Sequence, residues 1–187
     1  MRILQINILG IGIFSLPLLV LGTTSITSCS DSEGNNLKRL KESDSMITEE
    51  SKKVKGFKIN IEKNTLENKD FRKVLYTSTH SQLVLMSLKP KEEIGEEIHP
   101  DIDQFFRFEG GKGKCIIDGT EYEVKDGDAI IIPAGAKHNV INTDASKELK
   151  MYTIYSPPHH KDGTVQKTKK DAETSKEEYD GVTSERN

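Results

Sequence analysis

The chain has 187 residues, enough for one ordinary domain with appendages and too few for two of full size, so a single core is expected. Lys and Arg total 27 against 30 Asp and Glu, a net charge of −3, and the basic residues are spread along the chain. Without a concentrated positive field, and with no Trp and few other aromatic residues to stack bases, the sequence argues against nucleic acid as a partner.

Arg2 precedes a run from Ile3 to Gly22 that is apolar except for Gln5, Asn7, Ser15 and Pro17. Alone, such a run fits either a membrane span or a signal segment. Shortly after it comes Ile26-Thr27-Ser28-Cys29, a hydrophobic residue, two small residues and a cysteine. This resembles the lipobox of bacterial lipoproteins. The resemblance implies that residues 1–28 are a signal peptide, removed so that Cys29 becomes the lipidated first residue. The mature protein would then be anchored to a lipid bilayer at the bacterial cell envelope. Residues 29–53 are polar and mixed in charge, and read as a flexible tether that cannot bury enough apolar surface to offset ordering. A coil of that length reaches roughly 25 Å. With Cys29 lipidated, Cys115 would be the lone thiol of the mature chain, and its place in the apolar run Cys115-Ile116-Ile117 assigns it to packing.

Structure is predicted to begin at 54. Phe57-Lys58-Ile59-Asn60-Ile61 alternates as an edge strand should, and Phe71 to Tyr76 follows in the same manner. Gln82 to Leu88 is a stronger strand, stopped by Lys89-Pro90 because proline has no amide hydrogen for the ladder. Further strands are read at Gln104–Phe108, Gly113–Ile117, Thr120–Val124, Ala129–Ile132, Asn139–Asn142 and Leu149–Ser156. Asp118-Gly119 joins two of them as a tight hairpin turn, and Asp126-Gly127 marks a second turn. Many short strands at close spacing make the class all-β, a sandwich or barrel occupying 54–158. Residues 159–187 form a polar C-terminal tail, read as irregular apart from a weak helical pattern at Ala172–Tyr179.

Within the barrel, Glu97 and His99 are two apart and so point to one side of an extended strand. Pro100-Asp101-Ile102-Asp103 can turn the chain back, so that Gln104 brings a third donor toward the first two, with Phe106 and Phe108 on its face as apolar wall. His138 follows the rigid turn Pro133-Ala134-Gly135. On the last strand Met151, Thr153 and Tyr155 share one face, which puts Tyr155 inside the barrel. Asp101, Asp103, Tyr152, His159 and His160 are secondary candidates, and the histidine pair reads as polar loop.

The spacing Gly127, Pro133, Gly135, His138, Asn142 resembles, without departure, the second motif of the cupin family, and the run from Leu83 to Pro158 is similar to small single-domain cupins of the RmlC-like, mannose-6-phosphate isomerase-like kind. In the first motif Glu97 and His99 stand at the two metal-histidine positions, Gln104 at the metal-glutamate position and Gly111 at the closing glycine, while Lys91 replaces the opening glycine. The resemblance implies a double-stranded β-helix, or jelly-roll barrel, with a divalent metal ion held by Glu97, His99, Gln104 and His138. Two imidazoles and one carboxylate suit Fe, and also Mn, Ni, Co or Zn.

The metal set implies a small-molecule substrate. One expectation is metal-assisted isomerisation of a small polar molecule, with Glu97 and Tyr155 as catalytic residues. The alternatives are a non-haem metal dioxygenase and a non-catalytic module that binds metal or a small ligand. A homodimer is also expected, because the exposed edges of a small jelly roll favour pairing.

Overall fold

A computed structural model of the protein describes residues 55–185; the apolar run, Cys29 and the tether lie outside the described residues. Among the described residues the first regular element is a helix, α1 (Ile61–Glu67), where an edge strand was expected at Phe57–Ile61. The reason is capping: the Asn60 side chain accepts the Lys63 amide hydrogen at 3.0 Å and Asn64 N–H reaches the Asn60 carbonyl, so the first helical turn is closed locally. A capped turn wins over an alternating pattern that has no neighbouring strand to pair with.

Eight strands follow the sequence reading closely: β1 (Arg72–Thr77), β2 (Gln82–Leu88), β3 (Asp103–Gly110), β4 (Lys112–Ile117), β5 (Thr120–Lys125), β6 (Ala129–Ile132), β7 (His138–Asn142) and β8 (Leu149–Ser156). The tail is more ordered than expected. It adds a ninth strand, β9 (Val165–Gln166), paired antiparallel with β1, and a short helix, α2 (Lys169–Thr174), earlier than the predicted one and opened by a Thr168–Asp171 capping box.

The strands form two sheets, one ordered β6-β3-β8-β2-β1-β9 and the other β5-β4-β7. The segment before β3 extends the smaller sheet by bridges from Glu93 to Ile141 and from Glu97 to His138. The result is the jelly-roll barrel expected from the sequence. Asp118 and Gly119 both have positive φ, 45° and 81°, as a two-residue hairpin turn between β4 and β5 requires.

Side chains on the inner face of the large sheet lie in layers fixed by register. Met86, Met151 and Phe108 form one layer, and Val84, Thr153 and Phe106 the next, all fully buried. The layer beyond them is Gln82, Tyr155 and Gln104. The interior therefore changes from apolar to polar within one step along the strands, and the polar end is where the candidate ligands gather.

Candidate metal centre

Glu97 and His138, 41 positions apart in sequence, meet because their backbones form a reciprocal antiparallel pair, with N–H to O distances of 2.9 Å in both directions. Directly opposed residues send their side chains to the same face. One step along, Gly135 N–H donates to the His99 carbonyl at 2.8 Å, which keeps the Pro133–Gly135 turn beside His99. Asp103 pins the same turn by accepting the Ala134 amide hydrogen at 2.9 Å. Asp103 therefore holds the loop, while Asp101 is exposed at the barrel mouth.

The ligand atoms of Glu97, His99 and His138 all lie within 4.8 Å of one another, so this triad can hold a metal ion. Glu97 Oε2 is 3.4 Å from His99 Nε2 and 4.0 Å from His138 Nε2. Both of those nitrogens are buried and have no hydrogen-bond partner among the described residues. An unpaired buried polar atom is costly, and two histidine nitrogens without hydrogen-bond partners beside one carboxylate fit a cation better than they fit each other. His138 Nδ1 lies 3.0 Å from the Ala136 carbonyl, an arrangement that puts the hydrogen on Nδ1 and leaves Nε2 with its lone pair facing Glu97. Burial lowers the pKa of His138, which keeps the ring neutral, the state a ligand needs.

Gln104 faces the same space. It is 1% exposed, and neither its amide oxygen nor its nitrogen has a hydrogen-bond partner among the described residues. Gln82, on the other side of Tyr155, makes the opposite use of the same side chain. Its nitrogen donates to Thr77 Oγ1 and the His160 carbonyl, and its oxygen accepts from the amides of His159 and His160. Tyr155 lies inside the barrel as expected, its ring 5.9 Å from that of His99. Burial raises its pKa far above the usual phenol range, so it is an O–H donor at neutral pH. Tyr152 does not reach the site; it packs with Phe105 on the outer face of the sheet.

Three neighbours were missed or undervalued by sequence reasoning. Arg72 is buried on β1, with Nη2 3.5 Å from Glu97 Oε1 and Nη1 donating to Gln166 Oε1 of β9 at 3.0 Å. Its parity with buried Val74 is a signal in the sequence that it points inward. His159 and His160 are not loose loop residues: the ring of His159 is 4.5 Å from that of His99, and His160 is buried against Tyr155 at 5.1 Å. Burial opposes the charge on Glu97, but the contact with His99, followed by the charge of Arg72, outweighs it and holds the carboxyl below its usual range. A cavity of ≈ 180 Å³ runs beside Arg72, Glu97, His159, His160 and Gln166, and a hollow of ≈ 340 Å³ lies over His99 at the mouth.

Residues 84–155 match the family model described as a cupin domain. An uncharacterised protein of Acanthamoeba polyphaga mimivirus is 46% identical over 110 residues, covering 57% of this chain and 69% of that one. The chain belongs to the cupin family. The uncharacterised protein YrkC of Bacillus subtilis (strain 168) is 47% identical to this cupin over 124 residues, 63% of this chain and 66% of YrkC, just under two thirds. A crystal structure of a Bacillus halodurans protein superposes with a TM-score of 0.63 at 44% identity, covering 65% of this chain and 96% of that one. Against the cupin pattern, Lys91 takes the backbone of the glycine it replaces, with φ of 66°. Gly111 keeps its identity for a steric reason, since a Cβ there would lie 2.4 Å from the Glu148 carbonyl oxygen. Asn142 is structural: its amide nitrogen donates to the carbonyls of Leu88, Lys89 and Lys147.

Proposed function

We propose that this cupin binds one divalent metal ion through Glu97, His99 and His138, with Gln104 as a further oxygen donor, and moves a proton on a small polar molecule in an isomerase-type reaction. The observation that carries the proposal is the convergence of unpartnered histidine nitrogens and one ionised carboxylate at the polar end of the barrel. A bound divalent ion would polarise a substrate carbonyl and lower the cost of removing the adjacent proton. Glu97, held ionised by His99 and Arg72, suits a ligand better than a proton-shuttling base. His159 is the better base: burial and the neighbouring His99 depress its pKa, and it borders both the inner cavity and the mouth. Tyr155, kept protonated by burial, can donate to an oxygen that gains charge.

The test is proton exchange. Metal-loaded protein incubated in heavy water with a panel of small hydroxy-carbonyl compounds should label one of them at the carbon beside the carbonyl, and His159→Gln should slow labelling at least tenfold. No label in any compound, with full metal occupancy, would point to a module that binds without turnover. Two histidines and one carboxylate also favour a second reading, a non-haem dioxygenase, which oxygen uptake without exchange would support.

The proposal extends to location. Ile26-Thr27-Ser28-Cys29, following an apolar run, supports a lipid anchor at the bacterial envelope with residues 30–53 as tether. Cys29→Ala is expected to abolish incorporation of labelled fatty acid, and persistent labelling would reject Cys29 as the anchor.

A further inference from the structure

A guanidinium withdrawn from water needs its hydrogen bonds and its charge answered. Arg72 is buried, yet its five N–H donors are poorly answered. The neutral amide of Gln166 takes one at 3.0 Å, Glu97 Oε1 stands at 3.5 Å, and Nε has no hydrogen-bond partner among the described residues. Glu97 is also claimed from its other side, because Oε2 faces His99 and His138. The other titratable groups facing Arg72 do not balance it. The Tyr155 phenol also faces the guanidinium and brings an oxygen lone pair but no carboxylate charge, His159 and His160 offer no negative charge in either protonation state, and Lys176, Glu177 and Glu178 line the cavity at its exposed rim, where solvent screens them. Once a divalent ion is present, a single half-buried carboxylate stands against the ion and a guanidinium together. That leaves an excess of about two positive charges in a partly water-excluded site.

We infer that the ligand of this site is a small anion, a carboxylate or similar oxyanion, and that Arg72 selects it through its charge, with Gln166 of β9 holding the guanidinium in place. The inference rests on the proposed metal site and adds the charge class of what that site takes. A neutral polyol would leave the excess charge in place; an anion removes it and gives Arg72 an acceptor. The cavity of ≈ 180 Å³ bordered by Arg72, Glu97 and the two histidines limits the ligand to a few heavy atoms beyond its acid group.

The experiment uses the full chain in detergent, loaded with Mn(II), and measures by calorimetry the binding of oxalate and of its neutral isostere oxamide. Two variants separate charge from shape. Arg72→Gln removes the guanidinium, and Gln166→Glu neutralises it in place while leaving its contact with Glu97 intact. Both are expected to weaken oxalate at least tenfold, with Mn content within twofold of wild type and oxamide binding unchanged. Oxalate affinity unchanged in the two variants would overturn the inference. So would a loss of oxalate that only follows a loss of Mn, since Arg72 would then serve the metal and not the ligand. Wild-type protein that takes up no Mn would remove the metal proposal itself, and this inference with it, whereas metal uptake with no effect of Arg72 would remove this inference alone.

Discussion

Lys91 shows how a residue can depart from a family pattern while the backbone does not. Its φ of 66° lies where a side chain costs about 1–2 kcal/mol relative to glycine. Glycine gives back about 0.5–1 kcal/mol through unfolded-chain entropy. Lys91→Gly is therefore expected to stabilise the domain by about 0.5 kcal/mol, despite losing the exposed Nζ contact to the Thr143 carbonyl, and urea unfolding would show it. His160 gives a prediction of the opposite sign. Burial, reinforced by the charge of Arg72, pushes its pKa down to about 2, so the folded protein keeps it neutral where the unfolded chain takes up a proton. Stability is unaffected above the ordinary histidine pKa near 6.5 and falls as pH drops below it, by at most about 1.4 kcal/mol per pH unit from this group. In protein stripped of metal, the urea midpoint should fall between pH 7 and pH 5, and His160→Gln should flatten that fall. An equal fall in the variant would show that His160 protonates freely. At this scale the sequence was legible wherever spacing is rigid: Pro133 and Gly135 fix His138, and a period of two fixes Glu97 with His99. Arg72 was hidden because a charged residue in a strand ordinarily faces solvent, and only its parity with Val74 said otherwise.

Among the elements, the strands were legible because each is a short apolar run bounded by turn residues, and eight of them are where the pattern puts them. α1 was misread because Asn60 caps a turn inside an alternating stretch, and β9 because two residues carry no periodicity. β9 exists through its partner β1 and through the Arg72 to Gln166 hydrogen bond, both invisible to local reading. The start of the tail is fastened by Gln82, fully buried on β2, whose amide satisfies Thr77 and the backbone of His159 and His160. Gln82→Ala would leave several of those groups buried and unpaired, at a cost of about 2–3 kcal/mol. Chemical denaturation should reveal that loss, with increased exchange of the His160 amide; a change below about 0.5 kcal/mol would show that the tail holds its place by other contacts.

For the whole molecule, the jelly roll sets the apolar core and the site at successive levels of the same strands, so one register decides both. The small sheet brings Glu97, His99 and His138, the large sheet brings Gln104, Tyr155 and Arg72, and the tail contributes His159 and His160. That division explains why a motif reading reached the ligands and stopped short of their surroundings: the motifs cover the segment leading into β3, β3 itself, β6 and β7, while β1 and the tail lie outside them. The most direct test is the metal content of the purified full chain by mass spectrometry, compared with that of His99→Ala, His138→Ala and Gln104→Ala. The expected result is close to one divalent ion per wild-type chain, at least a tenfold loss in either histidine variant, and a smaller loss for Gln104→Ala. Wild-type protein without metal, or histidine variants that keep it, would contradict a metal centre at this end of the barrel.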